Sequence, residues 1–402
     1  MKRSYASLLI ICFISYLGVA LPFPVLAPML LSEPTGGQFN FFGQSGELML
    51  GVILAIYPLG KFIGAPWLGS WSDQIGRRKV LLLSAFLTAI GHLASFQAIL
   101  FHNFYALIGA RFFTGLWEGN IGIARAAATD IVSEENKPIV FGYLNASITT
   151  SYIAGPLIGG FFADSSFSHH FGSHVPFLIA TSFSLLCLII IFLSLQETLS
   201  ADPGYIEKIN RFAFFNLENR ALLPFLLICF LFTLSFDGFF QFFPLYMVKN
   251  FQFKEFDIGL ASTVLTVAMV MTQAVFIKGF KSQDFEKVVG LSGLCLGAML
   301  LLMLLSKELY GVFFCLLAIG FFIGILETFL PTMFSNRCGS QEQGKAMGQL
   351  MSLRYLGDFM ICLGGGSLAV FGAASPIYMS ACIVFVAVFA FGLSLLRIGQ
   401  KT

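Results

Sequence analysis

Apolar runs of about 20 residues dominate this sequence and decide what it can fold into. Polar residues, glycine and proline divide the chain into twelve such runs. A soluble domain is excluded, because 57% of the residues are hydrophobic and only 11% are charged, far from the composition of globular proteins. Only lipid can solvate so much apolar surface, so the sequence predicts an all-α polytopic membrane protein with 12 transmembrane helices. The predicted spans are 6–31, 47–71, 79–101, 104–131, 138–163, 175–196, 221–248, 256–278, 286–306, 309–335, 344–372 and 376–397.

The longest polar interval lies between the sixth and seventh spans. It predicts two six-helix halves, 1–196 and 221–402, joined by a cytoplasmic linker at 197–220. Weak internal similarity supports two pseudo-symmetric halves, as in transporters built from repeats. The matching residues are Gly18 and Gly238, Pro24 and Pro244, Gly142 and Gly348, Gly159 and Gly365, and Gly160 and Gly366.

Basic residues in the loops predict the orientation of the spans, because cytoplasmic loops carry an excess of Lys and Arg. With the N-terminus inside, the cytoplasmic side has sixteen basic residues and the outer side has three. Both termini are therefore expected in the cytoplasm, with the chain crossing the inner membrane many times. The inside residues are Lys2, Arg3, Arg77, Arg78, Lys79, Lys137, Lys208, Arg211, Arg220, Lys278, Lys281, Lys287, Arg337, Lys345, Arg397 and Lys401; the outside residues are Lys249, Lys254 and Lys307.

A glycine- and charge-rich loop follows span two, in the order Gly69-Ser70-Trp71-Ser72-Asp73-Gln74-Ile75-Gly76-Arg77-Arg78-Lys79. Glycine suits a short turn, and a carboxylate there can accept charge-assisted hydrogen bonds near a helix start. The spacing resembles the cytoplasmic signature of the major facilitator superfamily, although Trp71 and Gln74 depart from it. The resemblance implies a cytoplasmic latch for the outward-facing state. Its residues would be Gly69, Asp73, Gly76, Arg77 and Arg78, with Asp130 as the acid that ends span four.

Span four carries Arg111, Glu118 and Arg125 at intervals of seven residues. Seven residues make nearly two helical turns, so these charges are predicted to share one helical face. Charges are costly in lipid, so that face must line a cavity or another helix. Arg111 with Gly115 also resembles a superfamily motif in which a buried Arg assists proton coupling. A structural ladder of ion pairs is the alternative interpretation.

Small residues on span five resemble the motif of the superfamily's drug-proton antiporters. Mechanistically, they would let a neighbouring helix approach closely, while a proline would bend the span. The motif residues are Gly142, Ser151, Gly155, Pro156, Gly159 and Gly160, with Ser151 in place of a glycine. The first half, from Gly18 to about Glu197, therefore resembles the tetracycline-exporter branch. Ser15 and Gly91 stand where those exporters have intramembrane acids, so tetracycline is not predicted as the substrate.

Six further ionisable residues lie within the predicted spans. Arg354 and Asp358 are four residues apart and are expected to pair. Asp237 lies in an aromatic stretch that favours a neutral carboxyl, so it is a candidate for reversible protonation. His92 could also titrate, although a single helical His is more often a packing residue. The others are Lys61 and Glu327.

The resemblance implies a proton-coupled secondary transporter that exports a small molecule by alternating access. No GxxxxGK[ST] loop is present, so ATP is not the expected energy source. We expect no enzyme activity, no cofactor beyond the proton gradient, no metal, no nucleic-acid partner and a monomer in the lipid bilayer. Uptake of a nutrient or an anionic siderophore is the first alternative, because four intramembrane cations could attract a carboxylate-rich solute. Four intramembrane acids balance them, so the charge count does not decide between export and uptake. A channel or membrane scaffold is the second.

Overall fold

A computed structural model describes residues 2–31, 45–132, 137–199, 222–276, 285–337 and 343–399. Within those ranges the regular structure is helical throughout. Beyond residue 199, the predicted linker lies outside the described ranges. The helices are α1 (Lys2–Ala20), α2 (Phe23–Leu31), α3 (Gly46–Ile75), α4 (Arg77–Leu100), α5 (Phe104–Trp117), α6 (Asn120–Asp130), α7 (Lys137–Ala163), α8 (Val175–Ser194), α9 (Leu223–Phe251), α10 (Glu255–Met271, continued by a π-helical turn at Thr272–Phe276), α11 (Phe285–Leu305), α12 (Leu309–Arg337), α13 (Gln343–Ala369) and α14 (Ser375–Gly399).

Fourteen helices form twelve spans because two of the spans are broken. Span one consists of α1 and α2, which are separated at Leu21 and Pro22, and span four consists of α5 and α6. By length and hydropathy alone, nine spans among the described residues are apolar enough to cross a membrane. The other three are the broken span four and helices α7 and α13, each of 27 residues. The prediction of an all-α protein with twelve spans is confirmed.

The described residues form two compact units, and the first contains α1 to α8 together with Gln252–Thr263. In this unit α4 packs on α5 and α8, α1 packs on α7 and α8, and α3 packs on α5. One core cluster of this unit draws buried side chains from six helices. Examples, one from each helix, are Leu8, Leu68, Leu81, Ala127, Leu144 and Ile191.

The second unit contains α9 and the described residues from Val264 onward. Here α9 packs on α13 and α14, and α11 packs on α12 and α14. Phenylalanine fills much of this core, so many of the chain's 48 Phe residues are packing residues. Fully buried examples in this unit are Phe232, Phe239, Phe242, Phe243, Phe329, Phe334 and Phe391.

Outward-facing side chains in both units are largely apolar. Leu193 is 76% exposed and Tyr310 is 90% exposed in the protein alone. A surface of this kind is stable only in contact with lipid. A polar side chain caps the start of α5, where Asn103 Oδ1 accepts from Ala106 N at 3.0 Å.

Candidate functional site

Span four is interrupted at Glu118, where a continuous helix was predicted. Helix α5 ends at Trp117 and α6 begins at Asn120. The Ser84 hydroxyl donates to the Trp117 carbonyl at 2.5 Å and so satisfies an acceptor near the break. Glu118 N still donates to the Thr114 carbonyl at 3.0 Å. Glu118 thus ends α5 and carries its carboxylate into the interior of the first unit.

The break corrects the prediction that Arg111, Glu118 and Arg125 share one continuous face. Arg125 belongs to α6, and its Nη2 donates to Asn145 Oδ1 on α7 at 3.1 Å. Gly119 lies at the break, where a Cβ would come within 2.9 Å of the backbone of α3. Close contact between α3 and this turn therefore requires glycine, and the sequence spacing alone did not reveal it.

Four buried side chains from α3 and α5 form what we call the tyrosine cluster: Tyr57, Lys61, Arg111 and Glu118. Tyr57 Oη donates a hydrogen bond to Glu118 Oε2. Lys61 Nζ lies 4.6 Å and Arg111 Cζ lies 4.4 Å from the centroid of the Tyr57 ring. Lys61 is 8% exposed, Arg111 5% and Glu118 2%, so two cations and one carboxyl group share a desolvated site.

Glycines bring α3 and α5 close enough to form this cluster. A Cβ at Gly115 would overlap the backbone carbonyl of Tyr57, and one at Gly60 would overlap a carbonyl of α5. Small residues of this kind allow membrane helices to approach closely. The Arg111 to Gly115 spacing therefore has a geometric meaning, because Gly115 lets α3 approach and Arg111 then reaches the Tyr57 ring.

His92 is a buried neighbour of the tyrosine cluster. It is 1% exposed, and its Nε2 lies 3.6 Å from the position of a Cβ at Gly18 on α1. Neither ring nitrogen has a hydrogen-bond partner. Arg111 and Lys61 are close enough to repel a positive charge on this ring. The sequence-predicted candidates His92, Lys61, Arg111 and Glu118 are therefore brought together in one region of the first unit.

A second group of charges, the acid cluster, lies in the second unit and consists of Asp237, Glu327, Arg354 and Asp358. Arg354 Nη2 and Nε donate to the two oxygens of Asp237 at 2.7 and 3.1 Å. The same Nη2 lies 3.1 Å from Glu327 Oε1. Asp358, the partner predicted from sequence, attracts the same guanidinium electrostatically. Three carboxylates on three helices thus share one cation.

The loop between α3 and α4 forms an ion network around Arg77. Arg77 Nη1 lies 2.5 Å from Asp73 Oδ1, and Arg77 Nε lies 3.2 Å from Asp130 Oδ2. Arg77 Nη1 also donates to Ser72 Oγ at 2.7 Å. The pairing of the predicted loop residues with Asp130 is therefore present, whereas a Cβ at Gly69 would meet no neighbour within 4 Å.

Glu197, which follows span six, completes this loop by capping α4. Its Oε1 accepts from Arg77 N at 2.8 Å and its Oε2 from Arg78 N at 3.2 Å. A carboxylate is stabilised at a helix N-terminus, where backbone N–H groups are free. Gly76 has φ of +107°, and a Cβ there would overlap this carboxylate. Arg78 Nη2 instead donates to the Phe192 carbonyl at 2.8 Å.

The antiporter-like motif on α7 uses its small residues on two sides within the first unit. Towards α1, Ser151 Oγ donates to the Phe13 carbonyl at 2.7 Å, and a Cβ at Gly155 or Gly159 would overlap α1 or the residue after it. Towards α10, a Cβ at Gly160 would overlap the Glu255 carbonyl, and the Pro156 carbonyl lies where a Cβ of Gly259 would be. A Cβ at Gly142 would meet no neighbour within 4 Å. Close packing is thus confined to one end of the motif.

Sequence reasoning missed Tyr57 and Glu197 as members of these sites. Tyr57 precedes Lys61 by one helical turn, but a Tyr in an apolar run carries no signal of its own. Glu197 at the end of a span, opposite a loop with free N–H groups, was a usable signal. Within the described ranges, no group of three or more His, Cys, Asp or Glu side chains is placed to hold a metal ion.

Comparison with known proteins relates the chain to membrane transporters. The sequence profile of the Major Facilitator Superfamily matches residues 8–362. The tetracycline resistance protein, class E, of Escherichia coli is 29% identical over 366 residues, covering 89% of this chain and 85% of that protein. The quinolone resistance protein NorA of Staphylococcus aureus (strain MSSA476) is 24% identical over 372 residues, covering 92% of this chain and 90% of that protein.

Solved structures share the fold at low sequence identity. The D-xylose-proton symporter matches with a TM-score of 0.79 and 12% identity over 97% of each chain. The human organic anion transporter MFSD10 matches with a TM-score of 0.70 and 18% identity, over 97% of this chain and 99% of that chain. Because the family profile covers most of the sequence, the chain belongs to the Major Facilitator Superfamily and is a transporter, not an enzyme.

Proposed function

We propose that this transporter exports a small molecule in exchange for protons, and that Glu118 carries a coupling proton. The observation that supports this most is the position of Glu118, a buried carboxyl at a helix break, bonded to Tyr57 through one oxygen only. Two relatives are named for resistance to tetracycline and to quinolones, and export of such compounds would produce resistance. Departures at Ser15 and Gly91 leave the substrate itself unassigned.

Protonation of Glu118 changes the charge balance of the tyrosine cluster. When Glu118 is ionised, it offsets part of the charge of Lys61 and Arg111, and when it is protonated, both cations lose that counter-charge. In a site of low dielectric constant such a change is worth several kcal/mol. The proton can therefore bias which conformation of the transporter is favoured, as coupling requires.

The acid cluster supplies a second place for protons. Asp237, Glu327 and Asp358 outnumber Arg354, their shared cation, so one carboxyl can accept a proton without losing an essential partner. A cationic group on a solute would compete with that proton for the same carboxylates. Such competition is the chemical basis of antiport.

The rest of the proposal concerns placement in the membrane. The α3–α4 loop with Asp73, Arg77 and Asp130 lies on the cytoplasmic side and acts as a latch on the conformational equilibrium. Both termini are cytoplasmic, as the basic residues of the loops predict. The protein works as a monomer in the inner membrane, with the proton gradient as its energy source.

Transport by inside-out vesicles tests the role of Glu118. With an acidic lumen, the wild-type protein is expected to accumulate its solute, and Glu118→Gln should abolish this accumulation while keeping downhill exchange. Tetracycline and norfloxacin, a quinolone, are the first solutes to screen, because relatives are named for resistance to these compounds. Asp237→Asn is expected to behave similarly. Glu308→Gln, an exposed carboxyl, is the control and should transport as wild type. Uphill transport by Glu118→Gln with unchanged pH dependence would refute the role of Glu118, and the same result for Asp237→Asn would refute that of the acid cluster.

Uptake of an anionic solute is the second candidate, and one observation favours it. Arg111 Nε and Nη1 are buried without hydrogen-bond partners, beside Lys61. A carboxylate on a solute would satisfy those donors. The same vesicles separate the two functions, because an importer driven by protons would expel the solute from an acidic lumen.

A further inference from the structure

We propose that a buried water molecule bridges Glu118 and Thr88 and transfers the coupling proton to and from Glu118. This inference rests on the coupling role proposed for Glu118. It adds a binding site for water that is separate from the Tyr57 side of the carboxyl group, and it assigns Thr88 and Ser15 as positioning residues.

A small cavity lies beside Glu118, on the side that faces α1, α4 and α8. Its lining residues are Ser15, Ala85, Thr88, Glu118, Ser184 and Cys187. The space holds about one water molecule, which needs two to four polar partners to be stable in a protein interior. The hydroxyl groups of its lining and the carboxyl of Glu118 can supply that number.

Two buried oxygens at this cavity have no hydrogen-bond partner. They are Glu118 Oε1 and Thr88 Oγ1, on residues that are 2% and 4% exposed. Leaving such a group unsatisfied costs about 1–3 kcal/mol, and more for a charged one. Ser184 Oγ donates to the Ala180 carbonyl at 2.9 Å and can still accept a hydrogen bond from a water molecule. Ser15 Oγ lies 3.9 Å from Cys187 Sγ on the same lining.

The two oxygens of Glu118 therefore have different surroundings. Oε2 accepts from Tyr57, on the side of Lys61 and Arg111, whereas Oε1 is buried without a partner on a residue that also lines the cavity. The titratable groups around this carboxyl are Tyr57 and Lys61 on α3, His92 on α4, Arg111 on α5 and Cys187 on α8, and α1 contributes the Ser15 hydroxyl. Among the residues that line the cavity there is no Lys or Arg, whereas both lie on the Tyr57 side.

The transfer step is balanced without any further reactant. The O–H bond of protonated Glu118 breaks, an O–H bond forms on the water, and a carboxylate and a hydronium ion result. The hydronium ion gives its proton to bulk water when alternating access opens this region to one side of the membrane, and the reverse sequence reloads Glu118 from the other side. Hydrogen bonds from Thr88 and Ser15 hold the water within reach of Oε1.

Infrared difference spectra of the protein in lipid bilayers, taken between acidic and alkaline pH, test the site directly. The carbonyl band of protonated Glu118 is identified by its loss in Glu118→Gln, and the water band by its shift in H₂¹⁸O. Thr88→Val should remove the water band and move the Glu118 band to higher wavenumber, because a hydrogen bond is lost. Thr88→Ser keeps a hydroxyl and should retain both bands.

Transport gives an independent readout. Thr88→Val should slow uphill transport about tenfold, the effect of one lost hydrogen bond, with KM and downhill exchange unchanged. Thr181→Val is the matched control, since its buried hydroxyl donates within its own helix to Phe177 at 2.9 Å. Ser15→Ala tests the same water if Thr88→Val does not fold. The proposal is overturned if the water band persists in Thr88→Val, or if Thr88→Val transports uphill as well as the wild type. If Thr88→Val does not fold, the same two results in Ser15→Ala overturn it.

The two proposals fail in different ways. If Glu118→Gln still concentrates solute with unchanged pH dependence, the coupling role of Glu118 is wrong whatever the spectra show. If Glu118→Gln loses uphill transport while Thr88→Val behaves as wild type, only the water site is wrong.

Discussion

The side chains that surround Glu118 come from positions far apart in the sequence. Tyr57 bonds its carboxyl group and also presents its ring to Lys61 and Arg111. A hydrogen bond to a charged group contributes about 1.5–3 kcal/mol, and a desolvated cation–π contact contributes about 2 kcal/mol. Tyr57 takes part in both kinds of interaction, so it is the most informative position to change.

Tyr57→Phe should lower uphill transport about tenfold or more, because it removes the hydrogen bond to Glu118 but keeps the ring. Tyr57→Leu should in addition reduce thermal stability, because Lys61 and Arg111 lose their π contact. Transport in vesicles and a melting curve in detergent measure the two effects. Equal stability of the Phe and Leu variants would contradict the cation–π role, and full transport by Tyr57→Phe would contradict the role of the hydroxyl.

Individual charges could be found from sequence, but their partners could not. Arg111, Glu118 and Asp237 stand out because charged residues are rare and costly in apolar spans. Arg354 was expected to pair along its own helix, yet its hydrogen bonds go to Asp237 on α9. Cross-helix partners depend on how closely helices approach, which spacing within one helix does not determine.

On helix α7, only some residues of the antiporter-like motif pack closely against a neighbouring helix. Gly155 and Gly159 pack against the end of α1 and the residue after it, whereas Gly142 faces no neighbour. Ser151 replaces a glycine in the motif and uses its hydroxyl to bond the α1 backbone at Phe13. The motif residues are therefore not equivalent, although they look alike in the sequence.

Gly155→Leu should stop transport while still inserting, because a side chain there overlaps Ala20 and overpacking costs about 1–3 kcal/mol or more. Gly142→Leu is the matched control and should transport as wild type. Solute flux and the yield of folded protein are measured for both. Normal flux through well-inserted Gly155→Leu would remove the argument for close packing at this position.

The α3–α4 loop should control turnover without contacting the solute. Asp73→Asn and Arg77→Ala are expected to lower turnover several-fold and leave solute affinity unchanged, because each breaks the ion network around Arg77. Gln74→Ala, at an exposed position in the same loop, is the control. Loss of binding with intact turnover would show that the loop is not a latch.

Span ends were largely predictable, and the break within span four was not. The sixth span was predicted at 175–196, and α8 is Val175–Ser194. Hydropathy detects where lipid begins and ends, but it gives no signal for a break inside a span. The interruption at Glu118 depends on contact between Gly119 and α3, a tertiary effect without a local signal.

At the scale of the whole molecule, the sequence predicted twelve spans, and weak repeats relate its two halves. Packing nevertheless differs at matching positions. A Cβ at Gly159 would overlap the backbone at Leu21, whereas one at Gly365 would overlap the ring of Phe242. The charge clusters differ too, with an excess of cations around Tyr57 and an excess of acids around Arg354. The repeats therefore predict the arrangement of helices, whereas the packing contacts and the charged side chains differ between the two units.

The sign of the luminal pH change during downhill solute efflux tests the central claim, exchange of solute for protons, most directly. Proteoliposomes loaded with norfloxacin and a pH-sensitive dye are diluted into solute-free buffer of equal pH, and protein-free liposomes serve as the control. Antiport predicts that outflowing solute draws protons in and acidifies the lumen, whichever way the protein is inserted. A lumen that becomes alkaline as the solute leaves would mean that both move together and would contradict the account.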